Sequence, residues 1–545
     1  MRTRYLAVSL LACVWSSGAT AQQDTADFGA KASTLRLEAD VRFLSHDMLE
    51  GREAGTRGYD LAALYVAEAF RGIGLGPGGD DDSYYQQVPL REVKRDPNGI
   101  ARLTLSKDGE AFELTENEEF FVFTSSQSTK AVVEAPAIFV GFGLVSEEHD
   151  RDDFEGLDVE GKIVFTLTGA PKFLDSEERA YHSGIKAKNA SDRGAVGTVG
   201  VYTDTFEGIF PFTRLVDYFS NISGMSWLDV EGRPFTLAPN IQGFAVMSLD
   251  GGEQVFANYE HDWSEILEAA ESDAGEVPGF DLGIHARIEA DSLHRQSESP
   301  NVVGILPGSD PVLRDEFVIL TAHLDHDGIQ PSEDPDDDEI FNGAMDNTVG
   351  VAAMLEVSRL LSINPPKRSV VFIALAAEEK GLLGSDFFAR HPTVPSESMV
   401  AVVNLDMPIM TYDFADVVAF GAERSTLFPV VEVALKQHEL ILSPDPLPDE
   451  GLFTRSDHYS FVKQGVPAVY LSPGFAAGGE EAQAEFRQAH YHKVSDEVEH
   501  VDFDALAKFS DTKYSIAKGI ANMPTRPVWK RGDFFGKTFN GQMED

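Results

Sequence analysis

Imidazole and carboxylate side chains stand at the ends of apolar segments in the second half of the sequence. They are His323 and Asp325 after a segment at 317–321, Asp346 before one at 349–361, Glu378 and Glu379 after one at 369–377, Asp406 after one at 400–405, and His492 beyond one at 467–471. A single Asp before a helix is usually an N-cap. The repeated placement of such groups at the carboxyl ends of strands instead indicates a shared site.

These residue types suit zinc. A catalytic zinc without cysteine ligands is held by His and Asp or Glu and keeps one position for water. A ligand set of two histidines and three of these five carboxylates is too large for one open zinc. It suits two zinc ions that share one bridging carboxylate. Two metals roughly 3.5–4 Å apart lower the pKa of water and polarise a carbonyl group. We therefore expect two Zn2+ ions, although manganese and cobalt accept similar ligands.

Two further expectations concern the neighbours of these ligands. Asp325 lies two residues after His323 and is predicted to accept its other ring N–H, as second carboxylates commonly do. Adjacent Glu378 and Glu379 cannot both point the same way from an extended chain. One of them is predicted to bind metal, and the other to stay free as a general base.

The elements that must position these groups alternate between strand and helix. Near-continuous apolar strands, such as the one at 369–377, alternate with amphipathic helices, such as the one at 349–361. This pattern predicts an α/β fold with a mostly parallel, mixed sheet covered by helices on both faces. Residues 22–129 and 276–524 are predicted to form this domain.

Residues 130–275 have a different texture, with short strands, glycine turns and few candidate catalytic residues. We expect an inserted, β-rich accessory domain over this range. Residues 525–545 are expected to form a loose C-terminal tail.

The overall composition narrows the classes of partner. The chain has 545 residues, with 44 Lys and Arg against 90 Asp and Glu, which gives a formal charge of −46. So acidic a chain is a poor partner for nucleic acid or for an anionic membrane, since both need basic surface. After residue 21, no stretch of the sequence approaches 18 uninterrupted apolar residues, so no membrane span is predicted.

Residues 1–21 are interpreted as a cleaved secretory signal. Arg2 and Arg4 precede an apolar core at 5–15, and Ala19-Thr20-Ala21 is a small-x-small cleavage site. A lipoprotein signal ending at Cys13 is the alternative. Cys13 is the one cysteine, so the mature chain would contain no disulfide, thiolate nucleophile or Cys-bound zinc. The expected location is the periplasm or the extracellular medium.

Five motifs resemble the co-catalytic di-zinc exopeptidase family that includes bacterial leucyl aminopeptidases and glutamate carboxypeptidase-like proteins. They are Ala322-His323-Leu324-Asp325, Met345-Asp346-Asn347-Thr348-Val349-Gly350, Ala377-Glu378-Glu379-Lys380-Gly381-Leu382-Leu383-Gly384-Ser385, Asn404-Leu405-Asp406-Met407 and Tyr491-His492-Lys493-Val494-Ser495-Asp496. They occur in the same order as in the family, with similar spacing. The resemblance covers most of residues 35–520 and implies the zinc exopeptidase fold, with a protease-associated domain at 130–275.

The resemblance also implies a role for each residue. His323 and Asp406 would hold one zinc, Glu379 and His492 the other, and Asp346 would bridge them. Glu378 would be the general base. Family members often have a cis peptide after the bridging Asp, here Asp346–Asn347. In some members the Tyr before the last His, here Tyr491, stabilises the tetrahedral intermediate.

The resemblance therefore implies a secreted metallo-aminopeptidase that acts on peptides with a free N-terminus. A metal-bridging hydroxide would attack the scissile carbonyl while Glu378 takes its proton. A carboxypeptidase or dipeptidase of the same family is an alternative, but it needs an arginine patch, and the catalytic half offers only scattered candidates in Arg424, Arg455 and Arg487. Glutaminyl cyclisation and a non-catalytic, receptor-like binding protein are further alternatives on the same scaffold.

Overall fold

The structure is a computed structural model that describes residues 31–257, 262–332, 334 and 336–545. The predicted signal at 1–21, including Cys13, lies outside the described residues. Within the described ranges, no helix has the length and apolar character needed to cross a membrane.

The strands form two sheets joined by one long strand, and two short hairpins lie apart from them. The strands are β1 Gly76–Pro77, β2 Tyr85–Arg95, β3 Ala101–Lys107, β4 Glu110–Ala111, β5 Phe120–Val122, β6 Lys130–Phe139, β7 Val145–Ser146, β8 Arg151–Asp152, β9 Ile163–Leu167, β10 Gly197–Val201, β11 Gly224–Trp227, β12 Gly243–Met247, β13 Phe280–Leu306, β14 Phe317–His323, β15 Gly328–Ile329, β16 Ile340–Phe341, β17 Ser369–Leu375, β18 Met399–Asn404, β19 Asp416–Phe420, β20 Ile441–Leu442 and β21 Ala468–Pro473.

The helices lie mainly between the strands along the chain. They are α1 Thr34–Leu44, α2 Arg57–Ile73, α3 Ser176–Gly184, α4 Lys186–Ser191, α5 Asp204–Ile209, α6 Phe212–Asn221, α7 Leu249–Phe256, α8 Trp263–Glu271, α9 Val349–Ile363, α10 Leu383–Arg390, α11 Phe428–Gln437, α12 His458–Val462, α13 Gly479–Ala489, α14 Phe503–Ala521 and α15 Phe534–Thr538.

The first sheet, which we call the catalytic sheet, runs in the order β11-β2-β13-β17-β14-β18-β21-β19-β20. Its centre is parallel, because β14 pairs in parallel with β17 and β18, and β18 with β21. The flanking pairs of β13 with β17 and of β19 with β21 are antiparallel. The predicted α/β class with a mixed sheet is confirmed, and its parallel pairs lie mainly at the centre, with four of the eight strand pairs parallel.

Both faces of this sheet are buried, as the continuous apolar strands require. In β17, Val370 and Phe372 pack into the core beneath α9 and α14, whereas Val371 and Ile373 pack into the opposite core, which contains residues of α10 and α12. A strand that is buried on both faces is apolar along its length and does not alternate between polar and apolar residues. Polar groups are therefore left to the strand ends and loops.

The second sheet, which we call the accessory sheet, runs in the order β4-β3-β13-β6-β9-β10-β12-β5. Its boundaries differ from the expected 130–275. Strands β3, β4 and β5 at 101–122 belong to it, and β13 crosses from it at 280–291 into the catalytic sheet at 292–306. The sequence boundary was wrong because β13 continues between the sheets without a break that composition can reveal.

The C-terminal segment is not a loose tail, which corrects the expectation for 525–545. Trp529 is fully buried, and its indole N–H donates to the carbonyl of Gly465 at 2.8 Å. Phe534 and Phe535 of α15 pack with it into the core beside α12. A short segment rich in Gly and charged residues gives little periodic signal, so its packing depends on a few large aromatic side chains.

Candidate metal centre

The parallel strands bring the predicted site residues to one edge of the catalytic sheet. His323 is the last residue of β14, Asp406 lies two residues beyond β18, and Glu378 lies three residues beyond β17. Asp346 comes from the turn before α9. His492 follows α13. Parallel strands end at the same edge, so residues more than 80 positions apart meet.

The five predicted ligands form two groups that share Asp346. His323 Nε2 lies 3.0 Å from Asp406 Oδ1 and 3.1 Å from Asp346 Oδ1. His492 Nε2 lies 3.3 Å from Asp346 Oδ2 and 3.3 Å from Glu379 Oε2. Each oxygen of the Asp346 carboxylate therefore faces a different histidine. This is the arrangement of a bridging ligand.

The donor atoms fit two metal ions. Nitrogen and oxygen ligands at about 2.0–2.1 Å from a tetrahedral zinc are roughly 3.3 Å from one another. The separations of 3.0–3.3 Å between donor atoms in both groups match that value. The donor set, two imidazoles and three carboxylates, is chemically suited to zinc.

The charges of this cluster perturb one another strongly. Burial lowers the pKa of His323, but Asp406 and Glu378 outweigh it, and the pKa of His323 lies well above its usual value. The pKa of His492 is raised in the same way, against burial, chiefly by Glu379. For Asp346, burial raises the pKa, but hydrogen bonds from His323 and His492 bring it well below its usual range. The cluster thus draws protons onto its histidines at the positions where cations fit.

Glu378 lies beside the ligands without forming an ion pair to them among the described residues. Each of His323, Glu378 and Glu379 has one potential ligand atom within 4.8 Å of the corresponding atoms of the other two. Burial raises the pKa of Glu378 well above its usual value, and the charges of Asp406 and Glu379 add to this against the effect of His323. A carboxyl with a raised pKa beside a cation site suits proton transfer.

Asp325 does not hold His323 in the predicted way. His323 Nδ1 lies 3.2 Å from the backbone carbonyl oxygen of Asp325, not from its carboxylate. The Asp325 carboxylate instead accepts the backbone N–H groups of Glu378 at 3.0 Å and Glu379 at 3.3 Å. Since Asp325 is fully buried beneath this turn, its side chain fixes the backbone that carries the two glutamates.

A carboxylate-to-histidine contact of the predicted kind is made by Asp327, to His492 rather than to His323. Asp327 Oδ2 lies 3.0 Å from His492 Nδ1. His326 Nδ1 lies 2.6 Å from Glu379 Oε1. Both come from the loop after β14. For His323 the spacing indicated the correct residue but the wrong group, since the backbone carbonyl of Asp325 faces the ring. The contact of Asp327 with His492 joins residues 165 positions apart and leaves no local signal.

The turn that carries Asp346 is held from several sides. The Asp346–Asn347 peptide is cis, as the family resemblance implied. Asp496 accepts the backbone N–H groups of Met345 at 2.9 Å and Asp346 at 3.0 Å. Asn347 accepts the N–H of Met407 at 3.0 Å. Asp496 stands at the end of the Tyr491–Asp496 motif, and that position was its only signal in the sequence.

The run Arg455-Ser456-Asp457-His458 divides between the site and the protein interior. Ser456 donates a hydrogen bond to the Asp406 carboxylate. Asp457 and His458 are fully buried. Lys513 of α14, which no motif pointed to, is also fully buried and donates to the carbonyl of Asn404 at 2.5 Å.

A cavity of about 80 Å³ opens over the ligands. Its lining residues are His323, Asp346, Glu378, Glu379, Asp406, Met407, Leu452, Arg455, Ser456, Tyr470, Tyr491 and His492. The Tyr491 ring packs edge-on against His492, with 4.2 Å between centroids. Burial raises the pKa of Tyr491, so its hydroxyl stays protonated and able to donate. Tyr470 is a second tyrosine at the same cavity, and the motif comparison missed it.

Comparisons with known proteins concern mainly the catalytic half. Residues 301–517 match the family model described as Peptidase family M28. A probable zinc metalloprotease from Pyrenophora teres f. teres (strain 0-1) is 37% identical over 107 residues, which cover 19% of this chain and 22% of that protein. Aminopeptidase YwaD from Bacillus subtilis (strain 168) is 28% identical over 214 residues, which cover 39% of this chain and 43% of that protein. The chain thus spans less than half the length of these relatives.

Solved structures resemble the chain over a longer range but at lower identity. The aminopeptidase from Aneurinibacillus sp. strain AM-1 covers 89% of this chain, and 93% of its own chain is matched. The identity is 19% and the TM-score is 0.49.

Proposed function

We propose that this chain, whose residues 301–517 form a peptidase family M28 domain, is a zinc-dependent aminopeptidase that works with two zinc ions. The observation that carries the proposal is the Asp346 carboxylate, whose two oxygens face His323 at 3.1 Å and His492 at 3.3 Å. The name of the Bacillus subtilis relative, an aminopeptidase, supports the choice of a free N-terminus as substrate.

Each group of the site has a part in this chemistry. Zinc bound between these ligands supplies Lewis acidity, which polarises a carbonyl and lowers the pKa of water. Glu378, beside His323 and Glu379, takes the proton of the attacking water and delivers it to the leaving amine. Tyr491, whose raised pKa keeps the hydroxyl protonated, donates a hydrogen bond to the developing oxyanion.

Other residues hold this machinery in place. Asp325 fixes the Glu378–Glu379 turn, Asp327 orients His492, and Asp496 holds the backbone of Asp346. We also propose that the accessory sheet belongs to a protease-associated domain. The signal-like residues 1–21 support a periplasmic or secreted location.

Zinc content and substrate choice test the proposal together. The zinc-loaded protein is assayed with leucyl p-nitroanilide, its N-acetylated form, and peptides blocked at either terminus. Two equivalents of zinc, with cleavage only of substrates that have a free amine, support the proposal. Cleavage of N-blocked peptides from the C-terminus would replace it with a carboxypeptidase, and a protein that retains no zinc would contradict it.

A further inference from the structure

The three scattered arginines of the catalytic half occupy different places in the fold. Arg424 is paired with Glu177 and Asp533, and it lines a separate cavity of about 750 Å³. Arg455 lines the cavity over the metal ligands. Arg487 lies near Arg455, because both approach Glu450. The structure thus brings two of the three near each other, and one of them, Arg455, to the site.

Arg455 is a cation among acidic groups. Of the residues that line the metal cavity, all of them in the described part of the chain, Arg455 alone is a lysine or arginine. The chain as a whole has a formal charge of −46. The four carboxylates of the cavity would be balanced by two divalent zinc ions. Arg455 adds a further positive charge at the edge of this cavity.

The guanidinium of Arg455 is available to a ligand. Its nearest acidic partner is Glu450, with 3.7 Å between Arg455 Nη1 and Glu450 Oε2, and the Arg455 side chain is 53% exposed. An exposed ion pair at this distance is weak. Glu450 also lies 3.8 Å from Arg487 Nη1, so a single carboxylate is shared by two arginines. Within the described residues, no hydrogen bond to the Arg455 guanidinium is formed.

The backbone on both sides of Arg455 is fixed. Phe453, two residues before it, is fully buried. Ser456, directly after it, is buried and donates to the Asp406 carboxylate. Arg455 is therefore anchored at the cavity rim. Its charge also lowers the pKa of Tyr491, although burial raises that pKa more.

We propose that Arg455 binds a substrate carboxylate beside the scissile bond, so that the substrates are peptides with an acidic group at that position. This inference rests on the proposed aminopeptidase function. The planar guanidinium matches a carboxylate with two parallel hydrogen bonds, which an ammonium group cannot do. The carboxylate has three sources: the side chain of the first residue, the side chain of the second residue, or the C-terminus of a dipeptide.

Matched substrate pairs distinguish these sources. Glutamyl and glutaminyl p-nitroanilide differ in a first-residue charge. Ala-Glu-amide and Ala-Gln-amide differ in a second-residue charge. Leu-Gly and Leu-Gly-amide differ in the terminal carboxylate. For the source that Arg455 binds, the zinc-loaded full chain should show kcat/KM at least about tenfold higher for the acidic member.

Three variants test the residue itself. Arg455→Gln should reduce that ratio toward one, and Arg455→Glu should bring it below one, because like charges repel. Arg455→Lys should keep only part of it, since the ammonium lacks the planar fork. Arg531→Gln is the matched control, because it removes one charge from an exposed position outside the metal cavity. It should leave the ratio unchanged.

Hydrolysis of leucyl p-nitroanilide distinguishes failure of the Arg455 proposal from failure of the aminopeptidase proposal. If it is cleaved while all three acidic-to-neutral ratios stay near one, or if a preference survives in Arg455→Gln, the Arg455 proposal is overturned and the aminopeptidase stands. If no free-amine substrate is cleaved, both are overturned. Calorimetry with zinc-loaded Glu378→Gln and the same pairs provides a readout without turnover. Tighter binding of the acidic member, lost when Arg455→Gln is added, supports the proposal.

Discussion

The side chains that follow the parallel strands differ between the two sheets of this molecule. At the catalytic sheet, β14, β17 and β18 lead to His323, Glu378 and Asp406, ionisable groups that face one another. At the accessory sheet, β9, β10 and β12 are also parallel, but they lead to short hydroxyl side chains. Thr203 accepts the N–H of Phe206, and Ser248 that of Gly251, at the starts of α5 and α7.

The difference shows that parallel strand order brings the residues after the strands to one edge of a sheet. The types of those residues then determine whether that edge can bind a ligand. Hydroxyl groups at the accessory edge satisfy helix N-termini and leave no excess charge. Carboxylates at the catalytic edge outnumber the groups within the chain that can neutralise them, so they need cations. Lys186 is the exception at the accessory edge. It is half-buried, and its ammonium donates to the carbonyl of Leu167 at 2.5 Å.

Removal of metal should produce the largest contrast between the edges. Chelation is expected to abolish peptide hydrolysis and to lower the melting temperature, because Asp346, Glu379 and Asp406 then repel one another. At a free zinc concentration one hundred times Kd, binding stabilises the fold by about 2.7 kcal/mol per site. Calorimetric titration of the chelated protein with zinc should give two equivalents. Full activity after chelation would contradict the metal assignment.

Glu378→Gln should lower kcat by about two to four orders of magnitude, because the amide cannot accept the proton. Zinc content should stay at the wild-type value, since Glu378 is assigned no ligand role. Elemental analysis and kcat on leucyl p-nitroanilide check both. Loss of zinc together with activity would instead make Glu378 a ligand.

Asp327→Asn should weaken zinc binding about 10- to 100-fold at the site that contains His492, since the amide no longer fixes and polarises that imidazole. Competition with a chromophoric chelator measures the two affinities. Asp204→Asn in α5 of the accessory region is the matched control and should leave both unchanged. Equal weakening in the two variants would show a general charge effect rather than a specific contact.

The smallest expected effect on activity is at the accessory edge, where we expect only the stability to depend on pH. Burial lowers the pKa of Lys186 from 10.5 to about 7 in the folded chain. Between pH 7 and 10.5 the unfolded state therefore binds the extra proton, and stability rises with pH by at most about 1.4 kcal/mol per unit. Lys186→Met should lack this rise while kcat stays unchanged. Melting temperatures at pH 7 and 9 test it, and parallel profiles for the two proteins would contradict it.

The sequence predicted the catalytic strands well because each is apolar along its whole length. β17 was expected at 369–377 and spans Ser369–Leu375, and α9 was expected at 349–361 and spans Val349–Ile363. Strong periodicity or continuous burial leaves a local signal. The path of β13 through two sheets, and the packing of Trp529, depend on distant partners and leave none.

The donor set of the candidate site could also be found in the sequence, but its inner arrangement could not. Residue type and order pointed to His323, Asp346, Asp406, His492 and one of the adjacent glutamates, and the family resemblance implied that this one is Glu379. The Asp325 carboxylate was expected to accept the ring N–H of His323, but the backbone carbonyl of Asp325 lies there instead. A separate contact, between Asp327 and Nδ1 of His492, left no local signal because the two residues are far apart in the sequence. The structure also separates Arg455, which lines the cavity, from Arg424, whose ion pairs lie elsewhere.

The sequence by itself determined which elements are buried strands, which ligand atoms the chain offers, and the absence of cysteine after residue 13. These properties depend on side-chain type and local periodicity. The tertiary structure decided which oxygen of Asp346 faces which histidine, which carboxylate holds the backbone of the Glu378–Glu379 turn, and which arginine reaches the cavity. Such contacts join residues tens to hundreds of positions apart. Their geometry follows from strand order and loop path, which no local pattern encodes.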